Sequence, residues 1–94
     1  MSEQIEVVQN TAKNRFEITV DGAMVGLADY MDDDGVRAFP HTEVDPSQQG
    51  KGLAGKLVGF ALASTREAGL KVDPICPYVA GFMNRHPQYK ELLV

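Results

Sequence analysis

The first half of the chain alternates apolar and polar positions, whereas the second half repeats apolar residues at helical spacing. Ile5, Val7 and Val8 open a short run, residues 10–14 are polar turn material, and Phe16, Ile18 and Val20 alternate with Glu17 and Thr19. A period of two marks a half-buried strand, so the two runs predict a hairpin. Asp21 and Gly22 signal the next turn, residues 24–30 a third strand, and Asp32, Asp33, Asp34 and Gly35 a third turn. A fourth strand is expected over residues 36–44, irregular at Pro40, because proline cannot donate to a ladder. To this point the prediction is an antiparallel meander.

Beyond it the period changes. Leu53, Ala54, Leu57, Val58, Ala61 and Leu62 fall within one arc at about 100° per residue. That spacing predicts a helix of about four to five turns, closed by Gly69 just past its end. Residues 71–75 read as a short strand, residues 78–85 as a short helix with Pro77 in its first turn, and residues 87–93 as a last helical turn. Gly55 and Gly59 stand one turn apart, a spacing that admits close approach of a neighbouring backbone or ligand or, as the favoured reading, eases packing of the long helix on the sheet.

Length and charge narrow the function. With 94 residues, the expectation is one domain over residues 1–94, holding one core and any chemistry together. The net charge is −4 and no two Lys or Arg residues adjoin, so the basic patch of a nucleic-acid binder is missing. Cys76 is the lone cysteine, which excludes an internal disulfide. The start has neither the basic residues nor the apolar stretch of a secretory signal, and the apolar run around residues 57–63 is too short to span a bilayer. A cytoplasmic monomer without membrane or nucleic-acid partners is the expectation.

Candidate chemistry centres on Gln49, Gly50, Lys51, Gly52, Leu53 and Ala54, a glycine-bearing turn between a strand and a helix start. Such a turn directs several unpaired N–H groups at one point, where the helix dipole also favours an anion. No Gly-Lys-Ser/Thr ends it and the spacing is not G-x-G-x-x-G, so it is neither a Walker loop nor a dinucleotide fingerprint. Gln49 and Lys51 are further candidates to bind or neutralise a diphosphate.

Gln49, Gly52 and Ala54 match the Arg/Gln-x-x-Gly-x-Gly/Ala loop of the Gcn5-related N-acetyltransferase superfamily, which the chain resembles. His41-Thr42-Glu43-Val44, Leu57, Pro74-Ile75-Cys76-Pro77-Tyr78-Val79 and His86-Pro87 extend the likeness to its small single-domain acetyltransferase-like subfamily, from about Phe16 to Leu92. The fold this resemblance implies is α/β in the α+β sense: a mixed, mostly antiparallel sheet of about five strands splayed at the fourth, with one long helix and one or two short C-terminal helices. Acetyl-coenzyme A is then the implied co-substrate, with its pantetheine arm beside Thr42, Glu43 and Val44 and its diphosphate on Gln49, Gly50, Lys51, Gly52, Leu53 and Ala54. An open strand edge offers a peptide-like ligand unpaired N–H and C=O groups, in agreement with that reading.

Cys76 ends a strand, lies between Pro74 and Pro77, and precedes a helix start whose dipole would lower a thiol pKa. The resemblance sets a cysteine near the acetyl group, as acetyl acceptor or as polar lining. His41 is its expected partner, a base for an incoming amine or for the thiol. His86 reads as a helix C-terminal residue, and Asp32 to Asp34 as a solvated turn or a lure for a cationic amine. No metal-ligand spacing is present. The implied function is transfer of acetyl from acetyl-coenzyme A to an amine of a protein or small molecule, with a non-catalytic coenzyme A or acyl-coenzyme A binding module as the alternative.

Overall fold

The computed structural model describes residues 3–94. Its elements are β1 (Ile5–Asn10), β2 (Arg15–Val20), β3 (Ala23–Asp33), β4 (Val36–Val44), a 3-10 turn (Pro46–Gln48), α1 (Leu53–Glu67), β5 (Lys71–Asp73), α2 (Pro77–Arg85) and a final 3-10 stretch (Pro87–Leu92). The strands form one sheet in the order β1-β2-β3-β4-β5. Its first three pairings are antiparallel and β4–β5 is parallel, with α1 as the crossover that a parallel pair requires. This is the mixed, mostly antiparallel architecture expected from the sequence.

Two hairpins turn on Asp-Gly pairs. Asp21 and Gly22 take φ of 50° and 86°, and Asp34 and Gly35 take 50° and 78°, the left-handed pair whose twist matches the strands they join. The second turn is tighter than the aspartate run suggests, because β3 continues to Asp33 instead of ending at Tyr30. Asp32 sits opposite Arg37 in the ladder, and the guanidinium grips its carboxylate with bonds of 2.7 and 2.8 Å, which holds the extension in sheet geometry. β5 is shorter than expected and stops at Asp73, since Pro74 has no N–H to continue pairing.

Register also locates the bulge in β4. His41 pairs with Asp29 and Ala38 with Met31, so Phe39 and Pro40 together face Tyr30. The expected irregularity at Pro40 is therefore an extra residue in the strand. β4 pairs with β5 only through Val36, Arg37 and Ala38, followed by one bond from the Cys76 N–H to the Phe39 carbonyl at 2.8 Å. Past that bond the two chains part.

α1 covers the sheet face that carries Phe16, Ile18, Ala28, Tyr30 and Phe39, and buries Leu53, Leu57, Val58, Ala61 and Leu62 against it. Each large aliphatic side chain withdrawn in this way stabilises the fold by about 2 kcal/mol. The helix ends in a Schellman motif: Gly69 at φ 74°, with Leu70 N–H on Thr65 O at 3.1 Å and Gly69 N–H on Arg66 O at 3.0 Å. Gly55 and Gly59 face α2 and not the sheet as expected. A Cβ at Gly55 would lie 3.7 Å from Phe82, and one at Gly59 3.6 Å from the same ring.

Candidate functional site

The part of β4 beyond the bulge, the 3-10 turn and the start of α1 enclose a cleft of about 440 Å³. Its walls are Thr42, Glu43 and Val44 from β4, Gln48, Gln49 and Gly50 from the turn, Gly52, Leu53, Ala54 and Gly55 at the helix start, and Tyr78 from α2. Val44 hands the chain to Asp45, whose N–H bonds Val25 O at 2.7 Å and whose carboxylate takes the N–H and hydroxyl of Ser47, each at 2.9 Å. Those two bonds from Ser47 hold the Asp45 carboxyl below the usual range and fix how the loop leaves the strand.

The loop then passes through Gly50 at φ 86° and Gly52 at φ 73°, conformations costly to residues with a Cβ. Gly52 is the N-cap of α1, no side chain of the described residues caps the helix, and its first turn carries no acid. The first bond along the helix is Lys56 N–H to Gly52 O at 3.2 Å, so the N–H groups before it are free for an anion. Lys51 is outside this wall: its Nζ lies 3.0 Å from Glu3 Oε2 and 2.9 Å from Gln48 Oε1. An exposed pair of that kind is screened and weak.

Cys76 caps α2 just behind Thr42 and Tyr78. It is 8 % exposed and is not part of the cleft wall. Burial opposes ionisation of its thiol, but the Val79 N–H, the Thr42 hydroxyl, and the N–H groups of Tyr78 and Thr42 outweigh it and bring the pKa below the ordinary thiol value. None of these donors reaches full cap geometry. Thr42 Oγ1 is buried and has no hydrogen-bond partner of normal geometry among the described residues. Cys76 and Thr42 thus meet where β4 and β5 separate.

His41 lies elsewhere. Alternation along β4 sets it with Glu43 on the opposite face from Thr42, exposed, with Nε2 3.2 Å from Glu43 Oε1. The structure brings Thr42, Val44 and the glycine loop together, and sets Cys76 next to them, but does not bring His41 to Cys76. His86 follows α2, its N–H bonds Phe82 O and Met83 O, and its ring packs 4.0 Å from that of Phe82. Sequence reasoning passed over Gln48 and Tyr78 as wall residues, and favoured a packing role over ligand approach for Gly55. Asp45-Pro46-Ser47, a capping signature before the loop, could have flagged Gln48.

The sheet parted at its fourth strand, with an uncapped helix facing the gap, defines an acyltransferase-type fold, and a family profile agrees. The profile described as GCN5-related N-acetyl-transferase matches residues 15–92. The chain belongs to that family, and its activity is that of an N-acetyltransferase. Among solved structures it is similar to a GCN5-like candidate N-acetyltransferase from Staphylococcus aureus, with 23% identity, TM-score 0.74, and coverage of 95% of this chain and 87% of that one. It is also similar to a GNAT family acetyltransferase from Brucella melitensis in complex with acetyl-CoA, at 25% identity and TM-score 0.58, covering 72% of this chain and 50% of that one. No curated protein matches the chain.

Proposed function

We propose that the cleft binds acetyl-coenzyme A and that its acetyl group is passed to an amine where β4 and β5 part. The carrying observation is the uncapped start of α1: two left-handed glycines and free N–H groups open onto a cleft walled by the unpaired end of β4. Such donors, at a helix N-terminus, suit a diphosphate. The Brucella relative in complex with acetyl-CoA supports the choice of ligand.

Gly50, Gly52, Leu53 and Ala54 would hold the diphosphate, with Gln49 beside them, and the edge of Thr42, Glu43 and Val44 the pantetheine amides. Lys51, its charge offset by Glu3, contributes little to this seat. When bound, the ligand supplies an acetyl thioester, activated for attack by a nucleophile. The Thr42 N–H polarises the thioester carbonyl, and the buried Thr42 hydroxyl donates to whichever anion develops beside Cys76. His41 is held by Glu43 on the other face of β4, so the proton of the incoming amine reaches it only through water. Cys76 either lines this point or, as a thiolate, attacks the thioester carbonyl and releases coenzyme A as its thiol, the acetyl-cysteine then passing its acetyl group to the amine and regaining the thiol.

A coenzyme A binding module without turnover is the second reading, favoured by the lack of a base beside Cys76 among the described residues. Release of free thiol from acetyl-coenzyme A, followed over a panel of peptides and small amines, separates the two. Turnover above background supports the enzyme, and binding without turnover supports the module. Acetyl found on Cys76 after mixing with acetyl-coenzyme A alone supports the covalent route, whereas full activity of Cys76→Ser excludes it.

A further inference from the structure

α1 and α2 lie on one face of the sheet, and no helix of the described residues covers the other. On that face two shallow grooves flank the middle of β3, each of about 440 Å³. One has Met31, Val36 and Ala38 between Asp33 and Asp73, and the other has Met24, Val25 and Leu27 beside Glu43 and Asp45. Met31 is 56% exposed and Met24 48% exposed, large apolar side chains open to solvent in both grooves. Among the described residues neither groove has a lysine or arginine in its wall, and the Arg15 guanidinium lies 3.8 Å from Met24 Sδ. The basic side chains nearby are engaged: Arg15 bonds Glu17 at 2.7 Å, the His41 ring lies 3.2 Å from Glu43, and Lys71 Nζ donates to Glu91 O.

We infer that this helix-free face docks a basic polypeptide segment bearing apolar side chains, laid along β3. Charge complementarity selects the occupant, because each groove joins an apolar floor to two carboxylates. A second copy would set acid against acid, and an anionic membrane would be repelled. Leu27 and Met31 are roughly 13 Å apart along a strand, so an extended partner would seat apolar residues four positions apart and point lysines or arginines at the rims. Of the residues lining the two grooves only Glu43 also lines the coenzyme A cleft, and the inference stands whether or not that cleft turns over.

The test is amide-shift titration of the full chain with a short peptide of alternating lysine and leucine, and with a control in which serine replaces leucine. The expected result is saturable shifts centred on Leu27, Met31 and Ala38 with the leucine peptide alone. Met31→Lys, at an exposed position, should then weaken binding at least about tenfold while coenzyme A affinity and thermal unfolding stay unchanged. Equal binding of the serine peptide, shifts centred on the helical face, or indifference to Met31→Lys would overturn the inference. So would shifts of the same residues on dilution of the free protein, which would make a second copy the occupant.

Discussion

A Cβ on Gly52 would touch nothing within 4 Å and would project into open space, yet the residue stands at φ 73°. Gly52→Val therefore stores about 1–2 kcal/mol of backbone strain and sets a branched group among the donors of the helix start. Calorimetry should show at least about a tenfold loss of coenzyme A affinity in a variant that still folds; unchanged affinity would remove the loop from the site. Lys51→Ala should change affinity much less, because Lys51 is turned to Glu3. Cys76 makes a pH prediction. Its folded-state pKa is depressed, so the thiolate contributes stability above the unfolded thiol pKa, and that contribution is lost as pH falls through the folded value. Alkylation followed by mass spectrometry should inflect at lower pH than for a free cysteine, and coenzyme A should slow it. An inflection at or above the free-thiol value would contradict the donor arrangement around the sulfur.

At the scale of elements, β4 is the strand on which packing and site meet. Gly26 in β3 lies opposite Val44, and a Cβ there would come within 2.9 Å of Glu43 O and of Ile18 Cγ2. Gly26→Ala must push β4 aside, at a cost of about 1–3 kcal/mol, and should weaken coenzyme A binding without touching the cleft. Chemical denaturation and calorimetry on one sample test both halves. The other end of β4 depends on Arg37, which is 5% exposed, lies over the Tyr30 ring at 4.3 Å, and has Nη1 buried without a partner among the described residues. Asp32 is its counter-charge, and Asp32→Asn should destabilise the fold by about 2 kcal/mol. An unfolding free energy within error of the parent would show that the pair does not hold the end of β3.

Across the whole molecule, strand alternation, Asp-Gly hairpins and the apolar arc of α1 were legible because they are local: each depends on neighbours in sequence. The glycine loop was legible for the same reason, and it does form the cleft wall with Thr42 and Val44. What the sequence hid was set by side-chain direction and distant partners. The bulge at Phe39 and Pro40 and the alternation after it decide that His41 and Thr42 face opposite ways, and Glu3 takes Lys51 from forty-eight positions away. The role of Gly55 and Gly59 depended on where α2 docks, which no periodicity in α1 reveals. Binding to the folded state alone should raise stability by about 2.7 kcal/mol at one hundred times the dissociation constant, or roughly 10–20 °C in Tm.

Titration of the labelled protein with coenzyme A, read at the backbone amides of residues 50–55, addresses the anion seat at the start of α1 directly. Large, saturable shifts there and at Thr42 and Val44 are the predicted result. Amides that stay in place while ligand is added in excess would contradict the proposed seat, and with it the acetyl-transfer geometry at the parting of β4 and β5.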